Sequence, residues 1–206
     1  MVLLNDSLTI VLVGDWNKLY IQPDWMAKHV FESEEVEIGI NGQGSDFTVV
    51  YRSNGVIISP DQSKMVFSVI NTDNDTINDL CGYLNNFLEK AHTPQLFAYG
   101  MNIDFVEEDG SLFAEVLDLM SDTNAIIECG YEIASTQISR TLKNAERVLN
   151  MDSHLENSKL KIHFNEHHAS EENRPRFTIE SLKDFLERCK HVLQGLGYEL
   201  EGDELC

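Results

Sequence analysis

The stretch KIHFNEHH, residues 161–168, holds three of the chain's seven histidines beside a glutamate and an asparagine. Imidazoles and carboxylates this close together are the raw material of zinc sites and of proton transfer. His163, His167 and His168 are therefore the candidate metal ligands. The surrounding residues alternate in character, which predicts a strand, and a strand sends successive side chains to opposite faces. Leu160, Ile162 and Phe164 then take the core face, and Lys161, His163 and Asn165 the solvent face. Four strand residues span about 13 Å. His163 and His167 can share one small cation only if the chain turns between them, and a loop is expected to begin at His167. A zinc site needs three or four converging ligands. Nothing in the spacing brings in His154 or Glu166, and there is no HExxH. The expectation is a solvated strand end with no metal and no cofactor.

Other motifs point the same way. DNDTINDL (73–80) has the acids of a calcium loop, but Ile77 takes a ligand position, Asn78 replaces the turn glycine and Leu84 replaces the bidentate acid. It reads as a helix start capped by Asn74 or Asp75. NGQGSD (41–46) lies between two strands, where a phosphate cradle would need a following helix; a hairpin loop is expected. Neither GxSxG nor a Ser/His/Asp order is present, so no catalytic residue is assigned and the chain does not read as an enzyme. With 35 acidic residues, nearness of two carboxylates says nothing about acid–base work. The segment GDWNKLYIQPDWMAKHVF (14–31) gathers both tryptophans. Trp16, Tyr20 and Trp25 are either pinned onto the core or exposed as a partner-binding patch, where such side chains concentrate energy.

These residues sit in a chain of 206, with 42% hydrophobic and 24% charged residues. That is globular composition, and enough chain for one ordinary domain or two small ones. The 35 acids outnumber 15 lysines and arginines, a formal net charge of −20. Such a polyanion repels phosphate backbones and anionic membranes. The densest basic stretch, Arg140 to Lys161, is broken by Glu146, Asp152 and Glu156. Direct nucleic-acid or membrane binding is not expected. The N-terminal MVLLNDSLTIVLVGDW has no basic region before its apolar run, and that run is far short of a span, so a cytoplasmic protein is expected. Cys81 and Cys189 fall on helical stripes and Cys129 on an alternating strand; all three read as small buried hydrophobes of a reducing compartment.

The period of the apolar residues assigns the elements. Strands are expected at 7–14, 34–40, 47–52, 56–59 and 64–71, with Asn54-Gly55 as a tight hairpin turn. A short helix is expected at 23–31. Ile77, Leu80, Cys81, Leu84, Phe87 and Leu88 mark a long amphipathic helix over 73–92. The second half repeats the order: a strand at 94–106, a short helix at 110–120 capped by Ser111, and strands at 125–139, 145–153 and 158–166. The loop 167–176 follows, then a long helix capped by Thr178 with Ile179, Leu182, Phe185, Leu186, Cys189 and Leu193 as its stripe. Gly195 and Gly197 end it.

The fold class is α+β, with halves 1–92 and 93–206 built as β-α-ββββ-α and β-α-βββ-α; they are expected to pack as separate units or as a single domain. Each half offers an antiparallel sheet with one apolar face and a helix to cover it. This element order resembles that of the TATA-box-binding-protein type of fold and of helix-grip folds. The resemblance implies a duplicated unit whose halves join into one continuous sheet with both long helices on one face. It extends to element order only, since DNA binding in that family needs cations in the minor groove and this chain is acidic. The functional expectation is a non-enzymatic acidic protein that binds another protein, with a basic surface on the partner, as a subunit or adaptor of a larger assembly. A homo-oligomer is compatible with the sequence. The alternatives are a nucleic-acid-mimicking inhibitor or immunity factor, and a small-ligand-binding or metal-dependent enzyme.

Overall fold

A computed structural model describes residues 1–16, 21–43, 46–61, 63–91, 95–111, 113–115, 128–129, 133–144, 147–169 and 175–201. The strands are β1 (Val2–Leu3), β2 (Thr9–Gly14), β3 (Glu37–Gln43), β4 (Asp46–Ser53), β5 (Val56–Pro60), β6 (Lys64–Val69), β7 (Leu96–Glu107), β8 (Ser135–Lys143), β9 (Val148–Glu156) and β10 (Lys159–Ala169). The helices used below are α1 (Pro23–His29), α2 (Asn74–Lys90) and α3 (Ile179–Gly195). The chain is thus mixed α+β, with one ten-stranded sheet in the order β3-β4-β5-β6-β2-β7-β10-β9-β8, and β1 paired to β7 beside that path. Every pairing between these strands is antiparallel.

Paired residues in neighbouring strands point to the same face, and that places the core. Tyr51 pairs with Ile58, Ile58 with Phe67, Phe67 with Ile10 and Ile10 with Met101. Beyond β7, Ile103 pairs with Phe164 and Phe164 with Met151. All are buried, and they form one hydrophobic cluster with Ile77, Leu80, Leu84 and Phe87 of α2 and Leu182, Phe185, Leu186 and Leu193 of α3. The expected α2 stripe is buried as spaced, and so is the α3 stripe from Leu182 onward, while Ile179 is half-buried. Phe87 lies at the centre, with ring contacts to Trp16, Trp25 and Phe67.

Local signals set the element ends. Thr178 and Ser181 form a reciprocal capping box at α3, each backbone N–H donating to the other's side chain at 3.1 Å. Gly197, at φ 90°, follows the helix in a conformation that a Cβ disfavours. Asn54 and Gly55 both have positive φ, 47° and 77°, as a two-residue hairpin requires. Asn157 and Ser158, at φ 50° and 64°, make a second such turn between β9 and β10. Asn85 ties the two long helices together: its amide donates to the Phe177 carbonyl at 2.7 Å and accepts from the Phe177 N–H at 3.0 Å.

Several expectations are corrected. Asp73, not Asn74 or Asp75, caps α2; its carboxylate accepts from the Thr76 N–H at 2.7 Å. Residues 41–43 and 46 belong to the strands, since Asn41, Gly42 and Gln43 continue the β3–β4 ladder; 44–45 lie outside the described residues. β8 begins at Ser135 and runs to Lys143. Cys129 lies in an exposed turn rather than a buried strand. Asp109, not Ser111, supplies the capping oxygen near residue 111; most of 110–120 lies outside the described residues. The strand expected at 158–166 continues to Ala169, because β7 pairs with it along its whole length.

Removing the Phe87 ring should destabilise the fold by about 3–5 kcal/mol in Phe87→Ala, measured by urea unfolding. Ser153 is fully buried among apolar side chains, and its hydroxyl has no hydrogen-bond partner among the described residues. Ser153→Ala should therefore raise the unfolding midpoint or leave it unchanged, because a desolvated hydroxyl is lost and no bond is broken.

Candidate functional site

β10 divides the residues of KIHFNEHH between two environments. Leu160, Ile162, Phe164 and Glu166 are buried on the helix-covered face, while His163 and Asn165 are half-buried and Lys161 and His167 exposed on the other. The expected alternation holds. His167 and His168 lie inside the strand, so the expected loop at His167 is absent.

On the open face, Asp104 of β7 pairs directly with His163. His163 Nδ1 sits 2.6 Å from Asp104 Oδ1, and Lys161 Nζ 2.7 Å from Oδ2. Partial burial works to raise the Asp104 pKa, but the bonds from His163 and Lys161 outweigh it and hold the carboxyl below its usual range. A polar ladder runs alongside: Asn165 donates to Asn102 at 2.7 Å, Asn150 to Asn165 at 3.3 Å and Thr141 to Asn150 at 3.0 Å. The carboxylate fixes the His163 ring, and among the described residues no hydroxyl or thiol is hydrogen-bonded to that ring.

On the covered face, Glu166 is 1% exposed, and it is the one charged side chain among the described buried residues. Arg188, from α3, grips both of its oxygens: Nε to Oε2 at 2.9 Å, Nη2 to Oε1 at 3.0 Å and to Oε2 at 2.8 Å. His168 Nε2 lies 2.8 Å from Oε1, and Arg147 Nη1 3.3 Å. The His168 ring stacks flat on Tyr99, with centroids 4.5 Å apart and planes 6° apart. Burial alone would raise the Glu166 pKa; the hydrogen bond from His168 and the charge of Arg188 overcome this, and the net shift is downward. The cluster borders a cleft of about 500 Å³ between the second half of α3 and the β8–β9 turn.

The three candidate metal ligands therefore do not converge. His163 is held by Asp104 on one face, His168 by Glu166 on the other, and His167 stands four residues along from His163. Among the described residues no group of three or more His, Cys, Asp or Glu side chains is placed to hold a metal ion. Glu166 was missed as a buried residue, although it has the same parity as Leu160, Ile162 and Phe164. Extending the alternation one step would have put it under α3.

Of the aromatic segment, Trp16 is 5% exposed and packs against Phe87 at 5.1 Å. It is pinned onto the core and contributes no exposed surface. Trp25 is half-buried, with its ring against Phe87 and His29. Tyr20 lies outside the described residues. The exposed apolar surface lies elsewhere. Ile38, Ile40 and Val49 are 51%, 74% and 43% exposed. Ile38 pairs with Tyr51 and Ile40 with Val49, so all three continue the core face of the sheet beyond its helical cover.

No family model matches the chain, and no curated protein matches it. Among solved structures, a "putative adenylate cyclase" from Bacillus halodurans aligns over 97% of this chain and 79% of that chain, at 9% identity and a TM-score of 0.20. That superposition carries no argument about fold or activity. Among the described residues, no helix is long and apolar enough to cross a membrane.

Glu166→Gln should lower stability at neutral pH by about 3 kcal/mol, because it leaves Arg188 without its counter-charge in a buried site. A depressed folded pKa means that the carboxylate's contribution is complete above the usual glutamate value of 4.5 and is lost as pH falls through the lower folded value. Urea midpoints measured from pH 7 down to 3 should fall less steeply below 4.5 in the variant than in the parent.

Proposed function

We propose that this chain is a non-enzymatic acidic protein that takes a basic, extended segment of another protein along the open edge of its sheet at β3. The observation that carries this reading is the strip of Ile38, Ile40 and Val49, left exposed on a terminal strand. The described residues pair β3 on one side only, with β4. Edge strands are ordinarily guarded by lysine, proline or short length. β3 is seven residues, EIGINGQ, and has neither lysine nor proline. At the other end of the sheet, β8 carries Arg140 and Lys143 and alternates with exposed polar residues. A partner strand added to β3 would gain main-chain hydrogen bonds, and its alternate side chains would cover the isoleucines.

Charge selects the partner. Glu32, Glu34, Glu35 and Glu37 are all exposed at the start of β3, and among the described residues Glu37 alone of these has an ion pair, with Arg52 at 3.3 Å. A net charge of −20 steers cationic partners and repels anionic ones. Membership of a larger assembly and a reducing, cytoplasmic setting belong to the same proposal. The second is supported by the burial of the Cys81 and Cys189 thiols, with Cys81 pushed up to about 12 by desolvation and then by the charge of Glu180. The view of the halves as copies of one unit is supported by strand order. β2 and β7, the first long strands of their halves, meet at the centre, and each has the last strand of its own half, β6 or β10, on its far side.

A short peptide alternating lysine and valine should bind the protein and shift the amide resonances of β3, and its glutamate–valine counterpart should not. Ile40 is exposed, so Ile40→Lys should leave the thermal midpoint unchanged while weakening the basic peptide about tenfold or more. Binding that survives Ile40→Lys but collapses with added salt would replace this reading with nucleic-acid mimicry.

A further inference from the structure

We propose that the cleft between α3 and the β8–β9 turn binds a small amphiphilic monoanion, a carboxylate with an aliphatic tail. Its head would sit on Arg147 and its tail on Leu142, Leu149 and Val192. The site is separate from the β3 edge and does not depend on what binds there.

The first argument is a count of charge. Glu166 supplies one negative charge and two guanidiniums approach it. Arg188 takes both carboxylate oxygens at 2.8–3.0 Å. Arg147 reaches only Oε1, through one nitrogen at 3.3 Å, and its side chain is 39% exposed at the cleft. The Arg188–Glu166 pair is therefore neutral by itself, and Arg147, with Lys143 also lining the cleft, brings positive charge to a partly desolvated wall. Arginine presents a planar fork of donors suited to a carboxylate, and most of the Arg147 fork is not spent on Glu166. In a protein of net charge −20, this is a place where an anion would be attracted.

The second argument is the floor. Leu142 and Leu149 pair across β8 and β9, and Val192 of α3 faces them across the cleft. A volume of about 500 Å³ is within the range of small-molecule sites. It exceeds a bare ion and leaves room for an apolar body against Leu142, Leu149 and Val192. The third argument sets the charge. Asp184 and Glu187 stand on the rim, and a dianion such as a phosphate monoester would meet two carboxylates where a single carboxylate meets less repulsion. Head, tail and rim together describe a medium-chain fatty acid or a close relative.

Decanoate, decanol and decyl phosphate, titrated into the full chain by calorimetry and NMR, separate these arguments. Decanoate should bind saturably at one site, with shifts at Leu142, Leu149 and Val192, and at least tenfold more tightly than decanol or decyl phosphate. Arg147→Gln should weaken decanoate about tenfold and leave decanol unchanged. Val192→Trp, which fills the tail site and keeps the guanidinium, should abolish binding of both, with the fold verified by its unchanged amide spectrum elsewhere. Failure of decanoate to saturate, equal affinity for decanol, or undiminished binding in either variant would overturn the proposal.

Discussion

One constraint shapes the described part of the molecule: the helices among the described residues cover the apolar face of a wide sheet over only part of its width. Nine strands lie in a row, which at about 4.8 Å spacing makes a face roughly 40 Å across. Among the described residues, two long helices of about 10 Å diameter shield the middle of that width. Under them the core is continuous, from Tyr51 through Ile10 to Met151. At both margins the cover by described helices ends, and the two margins differ. Past α2 the apolar face continues into the open as Ile38, Ile40 and Val49. Past α3 it ends in a cleft floored by Leu142 and Leu149 and walled by arginines.

Glu166 marks the second of these transitions. A carboxylate on the apolar face is costly to desolvate, and buried ion pairs seldom repay that cost in stability. Their better-attested use is to fix register. Arg188 projects from α3 one position before Cys189 of the buried stripe, and its two-pronged grip on Glu166 defines where along β10 the helix sits. A purely hydrophobic contact would let α3 slide by a fraction of a turn. The same grip sets the position of the cleft, because Arg188 and Val192 are one helical turn apart.

Much of this was legible in the sequence because period and burial are linked directly. The α2 and α3 stripes, the Asn54-Gly55 turn and the outward face of His163 all follow from spacing. Legibility failed where partner strands decide the outcome. The loop expected at His167 is strand because β7 is long enough to pair out to Ala98, and no local signal in β10 encodes the length of β7. Cys129 looked buried because its neighbours alternate, yet it stands in a turn. Ile38 and Ile40 do share a face, as their alternation implies. Alternation reports which residues share a face, not whether a helix reaches far enough to cover it. Glu166 was legible by parity and was overlooked because an acid on a core face contradicts residue-type expectation.

The β3 margin also bears on self-association, since an open edge invites a second copy as readily as another protein. If two β3 strands paired antiparallel about a two-fold axis, the acidic start of each would lie against Asn41, Gly42 and Gln43 of the other. Those residues carry no cation, so Glu34 and Glu35 would stay unneutralised in both copies. The isoleucines would be covered either way, and the main-chain bonds would be the same in number. The difference between the two occupants is therefore electrostatic. At physiological salt the screening length is about 8 Å, so the distant charges of two −20 chains matter little and the local contacts decide. On the proposed reading, a strand with cations beside Glu34 and Glu35 would gain what the facing residues of a second copy do not supply, and its direction would be set as well, because the glutamates stand at one end of β3.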